Sequence, residues 1–153
     1  MTDADIHFYF DPVCPFAWMT GKWVRKVQTQ RDYTVDWRFI SLRLLNAHID
    51  YDAHFPPEYE AGHTAGLRLL RVAARARAEH GRDAVGALYA ALGAHIFDSE
   101  PVPDDAMSHG HRGTRQFVTR FSSRSVCLPR SPTPWMTSPS MPRSARRRTR
   151  RLR

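Results

Sequence analysis

The sequence predicts an α/β chain: a strand-helix-strand unit, then a helical insertion, then a basic tail with no regular structure. Three observations carry this expectation. An aromatic run, Ile6 to Phe10, stops at Asp11-Pro12; apolar residues recur at helical spacing after Pro15; and residues 33–41 alternate with period two. Each element follows from its residues in turn.

Aromatic and β-branched side chains suit a pleated backbone, so Ile-His-Phe-Tyr-Phe reads as a buried strand closed by the Asp11-Pro12 turn. Cys14 comes directly after it. Pro15 fits the first helical position, where a missing N–H costs nothing, and Trp18, Met19, Trp23, Val24 and Val27 then keep helical spacing to about Gln30. The thiol is therefore expected at a helix N-terminus, with Trp18, Trp23 and Trp37 in the core. In residues 33–41, Val35, Trp37 and Phe39 alternate with Thr34, Asp36 and Arg38, the pattern of a half-buried strand. Strand, helix and strand at this spacing form a βαβ unit with parallel strands and a right-handed crossover.

A loop holding Asn46, Asp50, Asp52 and Pro56-Pro57 leads into a helix predicted over about residues 58–79, with His80-Gly81 as its stop. Asp83 is the expected cap of a second helix over 84–97, whose Val85, Leu88, Leu92 and Ile96 share a face. Pro101-Val-Pro-Asp-Asp-Ala resembles the start of a further helix that the following residues do not continue. No internal repeat is present.

At 153 residues and 42% hydrophobic, the chain can build one domain with a real core. Its net charge of +8 suggests an anionic partner until the charges are located. Residues 1–107 carry 11 Lys+Arg against 15 Asp+Glu, a net −4, whereas residues 108–153 carry 12 Arg and no Lys, Asp or Glu. The basicity belongs to the tail. Residues 108–153 also hold 8 Ser and 5 Pro with only isolated apolar residues, a composition that predicts disorder. The domain expected from these patterns is residues 1–107, with the helical insertion at about 56–100. The acidic start, Met-Thr-Asp-Ala-Asp-Ile-His, lacks the apolar stretch of a signal peptide, and no run approaches a membrane span, so a cytoplasmic protein with reduced Cys14 and Cys127 is expected.

A thiol reacts as its thiolate, which the unpaired N–H groups of a helix N-terminus favour. A small cysteine packed under aromatics is the competing reading from position alone. The stretch Phe10-Asp11-Pro12-Val13-Cys14-Pro15-Phe16-Ala17-Trp18, with Trp23 beyond it, resembles the DsbA-like branch of the thioredoxin superfamily. More narrowly it is similar to the actinobacterial mycothiol-dependent reductases, whose motif reads Asp-Pro-x-Cys-Pro-Trp-Cys-Trp. The segment Ser41-Leu42-x-x-Leu45-Asn46 and the helical insertion resemble the same family, over roughly the first two-thirds of the chain.

That resemblance implies a thioredoxin-like fold and a thiol-disulfide oxidoreductase with Cys14 as nucleophile. Pro15, Phe16, Trp18 and Asp11 would form its substrate setting, and a low-molecular-weight thiol, mycothiol or glutathione, would be the co-substrate; no bound cofactor is implied. Ala17 stands where the family has its resolving cysteine, which leaves a monothiol route closed by an external thiol. Kappa-class glutathione transferases and 2-hydroxychromene-2-carboxylate isomerases, related enzymes with one functional position here, are the alternative. The superfamily also sets a cis-proline pair opposite the cysteine. No such segment follows Asp105, since Thr133-Pro134 matches as a dipeptide but has no apolar strand beside it, so the C-terminal half of the fold is expected to be incomplete.

Arginine without lysine, mixed with serine and proline, is what GC-rich DNA yields out of frame. The single codons of Trp135 and Met136 force Asp-Asp in a frame starting at the third codon base, and Met141-Pro142 forces Ala. A frameshift near residue 108 is therefore expected, and on that reading the chain is a truncated, inactive product that unfolds or aggregates. A selected arm would instead bind RNA or DNA through residues 143–153. Arg68, Arg71, Arg75 and Arg77 crowd one helix, as a solvated face or as receivers of an acidic thiol. His7, His48, His54, His63, His80 and His95 show no ligand spacing, and no metal is assigned. An open two-stranded sheet predicts self-association.

Overall fold

The structure is a computed structural model that describes residues 4–100 and 109–122. Strands β1 (Ile6–Phe10) and β2 (Val35–Phe39) pair in parallel, Phe8 opposite Trp37 and Phe10 opposite Phe39, and α1 (Pro15–Gln28) connects them. Side chains alternate across a strand. Phe8, Phe10, Trp37 and Phe39 therefore share one face, where Phe10 stacks on Tyr89 at 3.9 Å and meets Trp37 edge-on at 6.4 Å. His7, Tyr9, Asp36 and Arg38 share the other. At the strand starts, the Thr34 N–H and hydroxyl donate to the Asp5 carboxylate at 2.7 and 2.9 Å.

Asp36 is buried among three arginines and a histidine. Arg38 Nε donates to it at 2.9 Å, while Arg77, Arg82 and His7 lie within 3.7, 4.0 and 3.7 Å. The bond from Arg38, helped by the charges of Arg82 and Arg77 and opposed by burial, holds its carboxyl below the ordinary range near 3.8. A depressed folded-state pKa contributes stability at pH above the unfolded value and loses it as pH falls through the folded value. The stability gap between the parent chain and Asp36→Asn is accordingly expected to be flat from pH 5 to 7 and to close as acid is added below about pH 4. Urea unfolding midpoints at several pH values check this, and a gap that widens in acid would contradict it.

Residues read as a loop contain two short helices, α2 (Leu42–Leu45) and α3 (Tyr51–His54). Their caps are Ser41, at the end of the alternating stretch, and Asp50, one of the polar residues that suggested a loop: Ser41 Oγ accepts the Leu44 N–H, and Asp50 Oδ1 accepts those of Asp52 and Ala53. Helix α4 (Glu58–His80) forms where the sequence predicts a helix over about residues 58–79, and it buries a stripe of Gly62, Ala65, Gly66, Leu69, Leu70, Ala73 and Ala76. Helix α5 (Arg82–Gly93) starts two residues earlier than an Asp83 cap would place it. Gly81, at φ 87°, ends α4 and begins α5 in a single residue, which the left-handed region allows a glycine to do. Asp83 lies inside the first turn. The expected continuation of α5 to residue 97 is a π-helical turn, Ala94–Asp98.

The expected disorder of residues 108–153 is corrected over 109–122. There a 3-10 turn (His111–Gly113) leads to α6 (Arg115–Ser122), whose Phe117 is 0% exposed and whose Phe121 is also buried. The two rings sit four residues apart on one face and close the core against Val13, Leu69, Leu88, Leu92 and Ile96. Composition averaged over the tail hides such a local stripe. The remainder of the tail, with Cys127, Thr133-Pro134 and the arginine run, lies outside the described residues, as do Pro101 to Ala106. Among the described residues no helix is long and apolar enough to cross a membrane.

Candidate active site

Strand β1 is followed by three buried residues, Asp11, Pro12 and Val13, that deliver Cys14 to the start of α1. Cys14 is the N-cap, with extended φ −85° and ψ 111°. Its N–H donates to the Asp11 carbonyl at 3.0 Å, its carbonyl accepts the Trp18 N–H at 3.0 Å, and its Sγ accepts the Ala17 N–H at 3.5 Å. Pro15 occupies the first helical position as expected, and no acidic residue stands in that turn. The thiol is half-buried. An anion on Sγ would thus meet a backbone donor and the positive end of the helix.

Phe16 is 82% exposed beside it, and Met19 and Trp23, at 62% and 65%, continue the same exposed side of α1. Trp23 is therefore corrected from core to surface. The helix is apolar on two sides, and only the side with Trp18, Gly21 and Val24 faces the sheet. Trp18 turns away from Phe16 and lies in the core at 5% exposure, with its indole Nε1–H donating to Asp98. Trp37 is buried as expected.

Asp11 is buried behind the thiol. Its Oδ1 accepts the Val13 N–H at 3.1 Å, and its Oδ2 accepts the Leu42 N–H at 2.8 Å, tying the loop before Cys14 to the start of α2. Burial pushes its carboxyl above the ordinary range, against the pull of the Leu42 and Val13 donors. Gly66 of α4 leaves room for this carboxylate: a Cβ there would stand 2.4 Å from Oδ1 and 2.7 Å from Val13 Cγ2.

Residues 13–110 match the Rv2466c-like family, described as mycothiol-dependent nitroreductase Rv2466c. The chain belongs to the Rv2466c-like family. An uncharacterized protein of Mycobacterium tuberculosis, Rv2286c, is 34% identical to it over 105 residues, covering 69% of this chain. The chain spans 43% of that relative's length.

In this Rv2466c-like chain the structure brings Cys14, Pro15 and Phe16 to one surface, with Asp11 and Trp18 beneath it. Two of the four arginines of α4 are engaged elsewhere. Arg75 pairs with Glu79, and Arg77 turns to Asp36 on the outer side of the sheet. Three supporting residues had no sequence signal. Gly66 reads as an ordinary helix glycine, Asp98 is 80 positions from its indole partner, and Arg25 looks like a surface cation. Its guanidinium lies 4.0 Å over the Trp37 ring and donates to the Gly86 carbonyl at 2.8 Å, and burial lowers its pKa to about 10.

Proposed function

We propose that this chain is a monothiol oxidoreductase in which Cys14 exchanges with a disulfide and an external low-molecular-weight thiol completes the turnover. The observation that carries this is the half-buried Cys14 at the α1 N-cap with its Sγ on the Ala17 N–H. Membership of a mycothiol-dependent family supports thiol-dependent oxidoreduction and a thiol of that kind as co-substrate.

Cys14 thiolate attacks one sulfur of RS–SR′, a Cys14–SR bond forms, and R′S⁻ leaves. A second thiol, R″SH, attacks the R sulfur as its thiolate, releases RS–SR″ and returns the Cys14 thiolate. The net change is RS–SR′ + R″SH → R′SH + RS–SR″, in which the R′ sulfur is reduced and the R″ sulfur oxidised; a second R″SH, attacking RS–SR″, releases RSH and R″S–SR″ and completes the two-electron reduction with no other reductant. Ala17 supplies a backbone donor but no sulfur, so the protein cannot close the cycle within its own motif. In this reading Pro15 and Phe16 form the surface that substrate meets, while Asp11 and Trp18 hold the turn from beneath. The cytoplasm, where thiols stay reduced, suits such a protein.

The test uses the full chain with Cys127→Ser, treated with an oxidised low-molecular-weight thiol and followed by mass spectrometry. One mixed disulfide on Cys14, removed by added thiol, is the expected result; Cys14→Ser should show none. A parent chain that gains no adduct while folded would overturn the reading.

A further inference from the structure

We propose that Asp98 is a positioning residue for Cys14, acting through the Trp18 indole that it holds. The inference rests on Cys14 being the nucleophile. Trp18 Nε1–H donates to both carboxylate oxygens of Asp98 at 3.1 Å each, and Lys22 Nζ meets the same carboxylate at 2.9 Å. The indole is also gripped on its faces and edge. A Cβ on Gly93 would stand 2.2 Å from Trp18 Cε3, Phe97 stacks on the ring at 6.3 Å, and Tyr89 meets it edge-on at 5.6 Å.

All four holding groups come from one stretch, the end of α5 and the π-helical turn Ala94–Asp98. Such a turn carries more residues than an α-helical one and is a recurrent feature of functional sites. Here it sets Phe97 against the ring and Asp98 on its N–H. Burial raises the Asp98 pKa, but the bonds from Lys22 and Trp18 outweigh it and hold the carboxyl below the ordinary range. The bond to Trp18 is then charge-assisted, roughly twice as strong as a neutral one.

Trp18 is one helical turn from the thiol. Its own N–H closes on the Cys14 carbonyl, and its neighbour Ala17 places its N–H on Sγ. A helix end frays unless it is fixed from outside. Asp11 fixes this one on the loop side, and Asp98 fixes it on the insertion side. Without the grip on the indole, the first turn of α1 loosens and the Ala17 donor leaves the sulfur.

The experiment compares rates of mixed-disulfide formation at Cys14 with an oxidised low-molecular-weight thiol, in full chains all carrying Cys127→Ser, with circular dichroism confirming that each is folded. Trp18→Phe, which keeps the ring but removes the N–H, and Asp98→Ala are each expected to slow the reaction by about tenfold, the value of a charge-assisted bond. The double variant should be no slower than either. Asp98→Asn, whose amide oxygen still accepts but as a neutral group, should recover to within about threefold of the parent. Indole fluorescence should shift together in Asp98→Ala and not in Asp98→Asn. A folded parent that forms no mixed disulfide overturns the Cys14 reading and this inference with it. A reactive parent whose Trp18→Phe and Asp98→Ala variants match its rate, or lose rate additively without rescue by Asp98→Asn, overturns the inference alone.

Discussion

Phe117→Ala is expected to cost about 3–5 kcal/mol, the usual price of emptying a fully buried aromatic site. The ring is 0% exposed, lies 5.2 Å from Phe121 and 5.6 Å from His95, and belongs to the cluster that also contains Val13, the residue before Cys14. Truncation therefore removes transfer energy and leaves a cavity between α4, α5 and α6. Urea unfolding of the full chain measures the loss, with Arg115→Ala, on the exposed side of the same helix, as a control expected within about 0.5 kcal/mol. A loss below about 1 kcal/mol for Phe117→Ala would mean that α6 is not part of the core.

Gly66→Ala should damage stability and site together. Within a helix, alanine is favoured over glycine by about 1 kcal/mol. At this position the new Cβ meets Asp11 Oδ1 at 2.4 Å and Val13 Cγ2 at 2.7 Å, and neither atom is the loose end of a flexible chain. Asp11 is held by two backbone donors, so moving it breaks the Val13 bond, the Leu42 bond or both. Overpacking of this kind costs about 1–3 kcal/mol and outweighs the propensity gain. Because Cys14 is tied to Asp11 through its own N–H, mixed-disulfide formation should slow as well. Gly62→Ala, one turn earlier on α4, places its Cβ at an ordinary 3.4 Å from His109 and should be neutral or slightly stabilising. Equal behaviour of the two variants in unfolding and in exchange kinetics would refute the close packing of α4 on the Asp11 loop.

The local elements were legible because their signals are local. Asp11-Pro12 ends a strand, Pro15 begins a helix, and alternation from Thr34 onward identifies β2 without any knowledge of what surrounds it. The short helices α2 and α3 escaped because four residues are too few to show a helical period, and because Asp serves loops and caps alike. Trp23 was misplaced because helical spacing finds apolar positions but not which of two apolar sides meets the sheet. The tail hid α6 because two phenylalanines among many arginines leave the average composition basic and polar.

The sequence by itself determined the order of β1, α1 and β2, the seat of Cys14 at a helix N-terminus, and the absence of a second motif thiol at Ala17. These depend on neighbours within a few residues, where backbone preference and capping chemistry act. Only the tertiary structure decided that Asp11 would be walled in by Gly66, that the Trp18 indole would be met by Asp98 from 80 residues away, and that Phe117 would seal the core beneath Val13. Those contacts arise when helices pack at atomic density, and close packing depends on the shapes that distant segments present to one another.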